Sequence, residues 1–166
     1  MIILGVDPGL TGAIAMLGHK AEFLHLEDIP VMQRMVSPRK GGVKNQVNCH
    51  AVKETLQLWL QPYHHNEVHA VIELPIAFPG QQIQTVASSF LTAGHLEGVI
   101  QCLGLAHTLV SPADWKKALN LTSSKEQARA TAIRRWPDAA HLLKRVMDHN
   151  RAESLLIAAY GNERFA

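Results

Sequence analysis

The feature that most constrains the fold is an aspartate at the end of an apolar run near the start of the chain. Residues 2–6 are Ile-Ile-Leu-Gly-Val, Asp7-Pro8-Gly9 interrupts them, and a second apolar stretch, Ala13–Leu17, follows Thr11-Gly12. Two apolar segments joined by turn residues predict two strands with a tight connection. Because an unpaired buried charge is costly, an acid in this place usually holds a metal or lies near a phosphate. The alternative is that Asp7 only opens an Asp-Pro-Gly turn.

Length and composition predict one domain with a hydrophobic core. The chain has 166 residues, 47% of them hydrophobic, and a net charge of +2, which suits a single domain over residues 1–166. Its apolar stretches are interrupted well before the roughly eighteen residues that a membrane helix needs. No basic leader with a cleavage site precedes the first strand, so we expect no signal peptide and a cytoplasmic location.

The order of apolar segments predicts an α/β domain. Residues 30–48 are basic and contain Gly41-Gly42, so we expect a loop there. Strands are expected at 2–7, 12–18, 21–28, in a segment that ends at Glu73, and at 105–111; helices are expected at 49–61, 82–103, 112–119, 124–135 and 149–160. This order favours a five-stranded mixed sheet, three strands antiparallel and then two parallel, flanked by helices.

Three acids are expected to converge at one edge of this sheet. Asp7 and Glu73 each end a strand, and parallel neighbouring strands bring their carboxyl ends together. Glu153 lies near the start of the last helix, whose later turns are almost wholly apolar, so that the helix packs on the sheet. His149 and Asn150 precede Glu153 by four and three residues and share its face. Carboxylates gathered without cysteine suit Mg²⁺ or Mn²⁺.

Each acid also has a purely structural explanation. Glu73 could be an exposed strand end before Pro75. Asp148 could be only the N-cap of the last helix, since an aspartate before an apolar helical run suits that position. The grouping of all these acids at two strand ends and one helix start favours a site over separate structural roles.

The chain resembles a known nuclease family in a series of short motifs. They are Gly5-Val6-Asp7-Pro8-Gly9 with Thr11-Gly12, Val71-Ile72-Glu73 followed by Phe78, Gly94 and Gly98, Ser111-Pro112 followed by Trp115-Lys116-Lys117, Ser124-Lys125-Glu126-Gln127, and Arg151-Ala152-Glu153-Ser154-Leu155. In this order and spacing they resemble the RuvC family of Holliday junction resolvases, in the ribonuclease H-like superfamily, over nearly the whole chain. The Arg-Ala-Glu form of the last motif is most similar to the phage-type members.

The resemblance implies that Asp7, Glu73 and Glu153 are catalytic ligands of two Mg²⁺ ions, for which Mn²⁺ would substitute. The family places a further acid or histidine about one turn before the last ligand. Here the chain departs from that pattern, because Asn150 stands three residues before Glu153. We expect His149 and Asp148 both to lie near the metals, with His149 favoured by helical geometry and also able to assist proton transfer.

The resemblance also implies residues that bind DNA. Lys116, Lys117 and Lys125 occupy positions of phosphate-binding lysines, although a solvated helix face is the alternative. Phe78 is placed to stack on a base, unless its ring packs in the core. The basic loop is expected to touch DNA, with mere flexibility as the alternative; its cations are Arg34, Arg39, Lys40 and Lys44.

The function implied is that of a crossover junction endodeoxyribonuclease, which resolves Holliday junctions and other branched DNA by paired symmetric cuts. It would act in recombination, repair or phage DNA processing, within a bacterial or phage-infected cell. Two symmetric cuts require a two-fold homodimer, and we expect its seam on the helix that carries Gly94 and Gly98. Neither a membrane nor a nucleotide cofactor is expected.

Three other functions remain open at the level of sequence. A DNA-junction-binding module with a degraded metal site is favoured by Asn150. A ribonuclease H acting on RNA–DNA hybrids would need recognition of 2′-hydroxyls, for which no residues stand out. The Gly5–Gly9 motif also resembles the first phosphate loop of actin-like ATPases, but that fold needs a second domain and a second loop.

Overall fold

A computed structural model describes residues 1–37 and 42–166 of the chain. The strands are β1 (Ile2–Asp7), β2 (Ala13–Leu17), β3 (Phe23–Asp28), β4 (Val31–Ser37), β5 (Gly42–Val47), β6 (Val68–Glu73) and β7 (Ala106–Val110). The α-helices are α1 (Cys49–Leu60), α2 (Ile83–Cys102), α3 (Pro112–Ala118), α4 (Lys125–Arg135) and α5 (His149–Phe165). No helix within these described ranges is long and apolar enough to cross a membrane.

The main sheet has five strands in the order β3-β2-β1-β6-β7. The β1–β2 and β2–β3 pairs are antiparallel, whereas the β1–β6 and β6–β7 pairs are parallel. This confirms the predicted mixed sheet. Because β1 and β6 are parallel neighbours with Val6 opposite Ile72, Asp7 and Glu73 emerge side by side at the same edge.

Successive side chains of the central strands point to opposite faces of the sheet, so the hydrophobic core has two layers. On one face of the sheet, Leu4 and Ile72 pack with Leu56 of α1 and Ile100 of α2. On the other face, side chains that point the opposite way pack with α3, α4 and α5; they include Ile3, Ala15, Leu17 and Val71. A strand buried on both faces reads as a continuous apolar run, which is why residues 2–6 carry no polar side chain.

Two glycines let α5 lie directly on the central strands. A Cβ on Gly5 of β1 would collide with the backbone of α5, at the carbonyl oxygen of Ser154 and the amide nitrogen of Ala158. A Cβ on Gly161 of α5 would come within 2.6 Å of Val71 Cγ2. The helix therefore approaches the sheet more closely than any other side chain would permit at these positions.

The prediction of a loop over residues 30–48 was wrong. Most of this segment forms a separate two-stranded antiparallel sheet, in which β4 pairs with β5. These strands are hard to recognise in the sequence because only the base of the hairpin enters the core, where Val47 is 1% exposed. The remaining positions therefore lack the alternation of apolar and polar residues that marks a half-buried strand. Of the cations predicted there, Arg39 and Lys40 lie outside the described residues.

Replacing Gly5 by alanine is expected to destabilise the fold. The new methyl group would collide with the backbone of α5, which could give way only if the whole helix shifted. Overpacking of this kind lowers the free energy of unfolding by about 2 kcal/mol or more. Urea denaturation of Gly5→Ala against the unmodified chain measures this loss.

The matched control is Gly9→Ala, in the same motif. A Cβ on Gly9 would make only ordinary contacts, the nearest at 3.5 Å to the amide nitrogen of Gly12, so we expect a change within about 1 kcal/mol. Equal effects of the two substitutions would contradict the close docking of α5.

Candidate active site

Asp7 lies at the centre of a group of charged side chains at the carboxyl end of β1. Burial raises the pKa of its carboxyl well above the ordinary range, and the nearby carboxylates of Glu73 and Glu153 raise it further. The ammonium groups of Lys116 and Lys125 act in the opposite direction. The structure therefore brings together the three acids that the sequence predicted, along with two of the predicted lysines.

Glu73 is held in place by the indole of Trp115. The Nε1–H of Trp115 donates to Glu73 Oε2 at 2.6 Å, and the Trp115 side chain is fully buried. Burial raises the pKa of Glu73, while the Trp115 hydrogen bond lowers it. The sequence reasoning missed this contact, although a buried indole N–H nearly always needs an acceptor. Trp115 thus fixes the direction of one carboxylate of the site.

Glu153 enters the site from the second turn of α5 and is paired with Lys116. Lys116 Nζ lies 2.8 Å from Glu153 Oε1, and both side chains are mostly buried. Lys116 was predicted to bind phosphate; in this structure its ammonium offsets the charge of a predicted metal ligand. It also lies 5.0 Å from the centre of the Trp115 ring, so α3 supplies two neighbouring side chains to two different carboxylates.

His149, at the start of α5, forms a chain of hydrogen bonds with Lys125. Lys125 Nζ donates to His149 Nε2 at 2.9 Å. With Nε2 accepting, the ring proton is on Nδ1, which lies 3.1 Å from the carbonyl oxygen of Val146. Lys125 is also close enough to lower the pKa of Asp7. It therefore interacts both with His149 and with the cluster of three carboxylates.

Asp148 is bound by arginine. Arg145 donates to it from Nε at 3.0 Å, from Nη2 at 2.7 Å and from its backbone amide at 2.7 Å. Burial opposes ionisation of Asp148, but these hydrogen bonds and the positive charges of Arg145 and Arg151 together outweigh burial and lower its pKa. Asp148 occupies the N-cap position of α5 without capping the helix through its side chain. It would have to leave Arg145 before it could meet a metal.

Asn150 and Arg151 tie the start of α5 to the sheet. Asn150 Nδ2 donates to the carbonyl oxygen of Thr11 at 2.7 Å, in the connection between β1 and β2. Arg151 forms a bidentate pair with Asp28 at the end of β3, with both distances 2.6 Å. These contacts, which sequence reasoning missed, fix the helix turn that precedes Glu153.

The donor set fits a hard divalent cation, although the carboxylates are not yet gathered around one point. In the described part of the chain, no three acid, histidine or cysteine side chains stand close enough to hold a metal as they are. Burial is the main cause of the raised pKa of Asp7, and the repulsion by Glu73 and Glu153 that adds to it is what a cation would relieve. Oxygen ligands are those that Mg²⁺ and Mn²⁺ prefer. Glu153 would exchange Lys116 for the metal.

The other predicted DNA-binding residues lie on three different parts of the fold. The Phe78 ring is 62% exposed and lines a cleft of about 230 Å³ together with Glu73, so it does not pack in the core. Lys117 is exposed on α3. Arg34 and Lys44 lie opposite each other on the separate hairpin.

Comparison with solved structures identifies the fold. The chain is similar to Thermus thermophilus RuvC in complex with a Holliday junction substrate, with a TM-score of 0.60 and 14% identity over 99% of this chain and 97% of that one. It is also similar to a Thermus thermophilus RuvC structure, with a TM-score of 0.52 and 14% identity over 96% and 94% of the two chains. No protein-family model and no curated protein matches the sequence. The likeness confirms the predicted ribonuclease H-like α/β fold.

Without metal, Asp7→Asn is expected to stabilise the protein at neutral and alkaline pH. A carboxyl whose pKa is raised on folding contributes stability at acid pH, and this is lost as the pH rises through the folded-state value. The amide carries no charge to bury. Thermal unfolding in a chelator should therefore give the variant a higher midpoint at about pH 8, with the difference closing as the pH falls toward about 4.

Asp138→Asn serves as the control, because Asp138 is exposed in a turn after α4. It should leave the pH dependence unchanged. A lower midpoint for Asp7→Asn at about pH 8 would contradict the burial of a repelling charge.

Proposed function

We propose that this chain is a divalent-metal-dependent DNA endonuclease that resolves four-way junctions, and other branched DNA, by paired symmetric cuts. The observation that carries the proposal is the convergence of Asp7, Glu73 and Glu153 at the edge of a sheet with this fold. Further support comes from the similarity of the fold to that of T. thermophilus RuvC, in a complex with its Holliday junction substrate. The Arg151-Ala152-Glu153 motif favours a phage-type enzyme of recombination, repair or DNA processing in the cytoplasm.

In the proposed mechanism, Asp7, Glu73 and Glu153 would hold two Mg²⁺ ions, or Mn²⁺ in their place. Such a pair, when bound, activates a water and stabilises the leaving 3′-oxygen of a phosphodiester. Asp7 would be the central member of this ligand set, because its carboxyl interacts with those of both Glu73 and Glu153. Trp115 holds the Glu73 carboxylate in its position through its hydrogen bond, and Lys116 would have to release Glu153 before Glu153 could bind a metal. His149 and Asp148 are the further candidate ligands of the proposal.

His149 is also our candidate for proton transfer. Its Nε2 accepts a hydrogen bond from Lys125, which is exposed at the start of α4. A DNA phosphate that attracts the Lys125 ammonium would leave Nε2 free to take up a proton. Lys117, which is exposed on α3, is a further candidate for a phosphate contact, and the exposed ring of Phe78 is available to stack on an unpaired base.

A second candidate function is junction binding without cleavage. The ion pair between Lys116 and Glu153 favours it, as does the lack, among the described side chains, of three ligands already gathered for a metal. A protein of this kind would bind branched DNA through its lysines and would not respond to Mg²⁺.

Asp7→Asn is expected to abolish cleavage and to leave junction binding intact, since the amide removes a metal ligand and no DNA contact. Cleavage of a synthetic four-way junction in Mg²⁺ measures the first effect, and gel-shift titration in Ca²⁺ measures the second. Mn²⁺ should raise the thermal midpoint of the unmodified chain, and that of the variant much less.

Cleavage by Asp7→Asn at an undiminished rate would overturn the site. Binding by the unmodified chain without cleavage in Mg²⁺ or Mn²⁺ would select the second candidate. Faster cutting of an RNA–DNA hybrid than of a junction would reassign the substrate.

The proposed homodimer would form through an exposed face of α2. Ile83, Phe90 and Leu91 are 86%, 44% and 51% exposed, and their spacing places them on the same face as Gly94 and Gly98. A Cβ on either glycine would meet nothing within 4 Å, so a neighbouring helix could approach closely. An apolar stripe of this kind is typical of an interface between protein chains.

Leu91→Arg is expected to convert the dimer to a monomer and to replace paired cuts by single nicks. The exposed leucine contributes little to the stability of a single chain, so the monomeric variant should still unfold cooperatively at a temperature close to that of the unmodified chain. Sedimentation velocity measures the oligomeric state, and a supercoiled cruciform plasmid separates nicked from linear product. Leu58→Arg on α1 makes the same change at a leucine that is 64% exposed and should leave the dimer intact. An unmodified chain that is monomeric while it makes paired cuts would contradict the proposal.

A further inference from the structure

The β4–β5 hairpin is a positively charged ribbon. The sequence between Pro30 and Asn48 contains two arginines and two lysines and no acidic residue. The described cations, Arg34 and Lys44, are exposed, and neither has an ion-pair partner among the side chains that the structure describes. The two described strands therefore carry two positive charges that no acid among the described residues offsets.

The register of the hairpin places two of these charges side by side. Arg34 pairs with Lys44 across the strands, so their side chains leave the same face of the ribbon. Like charges directly opposite each other destabilise a sheet pair, and an isolated two-stranded hairpin is marginally stable. An arrangement that costs stability in the free protein becomes favourable when a polyanion lies along that face.

The base of the hairpin is anchored, which fixes where this face points. Ile29 and Val47 are buried in the core on either side of it. The amide of Asn48 donates to the carbonyl oxygen of Pro30 at 2.8 Å, and the Asn48 side chain caps α1 by accepting from Ala51. The ribbon thus projects from a rigid point of the domain.

Lys44 lines a cleft that adjoins the cleft at Glu73. A cavity of about 370 Å³ lies between the hairpin, the loop after Asp7 and the first half of α2; its lining includes Gly9, Leu10, Lys44, Thr85, Ser88 and Ser89. Thr85 and Ser89 also line the neighbouring cleft that holds Glu73 and Phe78. Because they share these two residues, the two cavities adjoin each other along the first half of α2, and together they are called the groove between the carboxylates and the hairpin.

The chemistry of this groove fits a phosphate backbone. The cavity beside the hairpin is lined by hydroxyl, amide and backbone groups with one cation, and its described lining includes no carboxylate. Hydroxyl and amide side chains and lysines make most contacts between proteins and DNA phosphates and sugars. The Ser89 hydroxyl, which donates to the carbonyl oxygen of Thr85 at 3.1 Å, can turn to a phosphate because that carbonyl lies within a helix.

We propose that the β4–β5 hairpin and the first half of α2 form the two walls of a groove that binds the sugar-phosphate backbone of a duplex arm leading away from the carboxylates. The inference rests on the proposed function, which supplies the DNA substrate. Arg34 and Lys44 contact phosphates of the arm, and Thr85, Ser88 and Ser89 contact the same backbone from the other wall. The hairpin thereby lengthens the stretch of duplex that the enzyme holds beyond the point of cleavage.

The test compares Lys44→Gln and the double variant Arg34→Gln/Lys44→Gln with Lys20→Gln. Lys20 is exposed in the turn between β2 and β3, at the opposite end of the sheet, so it provides the same chemical change outside the groove. Each lost phosphate contact should weaken binding of a four-way junction by about three- to tenfold at roughly 0.15 M salt, and should lower the slope of log K against log salt by about 1. Lys20→Gln should alter neither.

Arm length provides a second readout. The affinity of the unmodified chain should fall when the junction arms are trimmed to a few base pairs, whereas the double variant should lose much less. Its thermal midpoint should be unchanged or higher, because the substitutions remove a like-charge pair, so that a loss of binding cannot be attributed to unfolding.

The outcomes separate this inference from the proposed function. If the unmodified chain binds and cuts junctions while the double variant matches it in affinity, salt slope and arm-length dependence, the hairpin inference is overturned and the nuclease stands. If the unmodified chain neither binds nor cuts branched DNA, the proposed function fails and this inference fails with it. If the Lys44→Gln and double variants bind junctions more weakly while Lys20→Gln binds as the unmodified chain does, the result supports the proposed DNA-binding groove.

Discussion

The close contact between β1 and α5 is the constraint on which the rest of the structure depends. Gly5 and Gly161 remove the side chains that would otherwise separate the helix from the central strands. Since α5 carries Glu153 and β1 carries Asp7, the depth of this contact sets the distance between the two carboxylates. The bonds of Asn150 to Thr11 and of Arg151 to Asp28 then fix the helix about its own axis. A packing feature of the core thereby determines the geometry of a surface site.

Gathering acids at one edge has an electrostatic cost that the surrounding residues only partly offset. Burial and mutual repulsion raise the pKa values of Asp7 and Glu73, while Trp115, Lys116 and Lys125 act against this. Functional sites are commonly less stable than the fold could allow, because they keep groups ready for a ligand. The hairpin has an unbalanced charge of the opposite sign, since Arg34 and Lys44 lie opposite each other and neither is paired with an acid among the described residues. Both regions have a charge imbalance that a bound partner of opposite charge would relieve.

How far the sequence predicted the structure depended on how each segment is buried. The central strands and the long helices have apolar patterns that core packing requires, and their positions were predicted closely. The hairpin was missed because it lies mostly outside the core. Its register is set by hydrogen bonds between the strands and not by an alternation of apolar and polar residues that the sequence would show. The partners of the site residues were missed for a related reason. Asp148 with Arg145, and Glu73 with Trp115, are contacts in which side-chain direction decides the pairing.

The sequence by itself determined that acids end two apolar strands and open the last helix, because strand and helix periodicity follow from local patterns. Only the tertiary structure decided which residues of the site are paired with cations. Lys116 pairs with Glu153, Lys125 with His149, and Arg145 with Asp148. The physical reason is that charges interact over a few ångströms through space, and those distances are fixed by the packing of α3, α4 and α5 on the sheet.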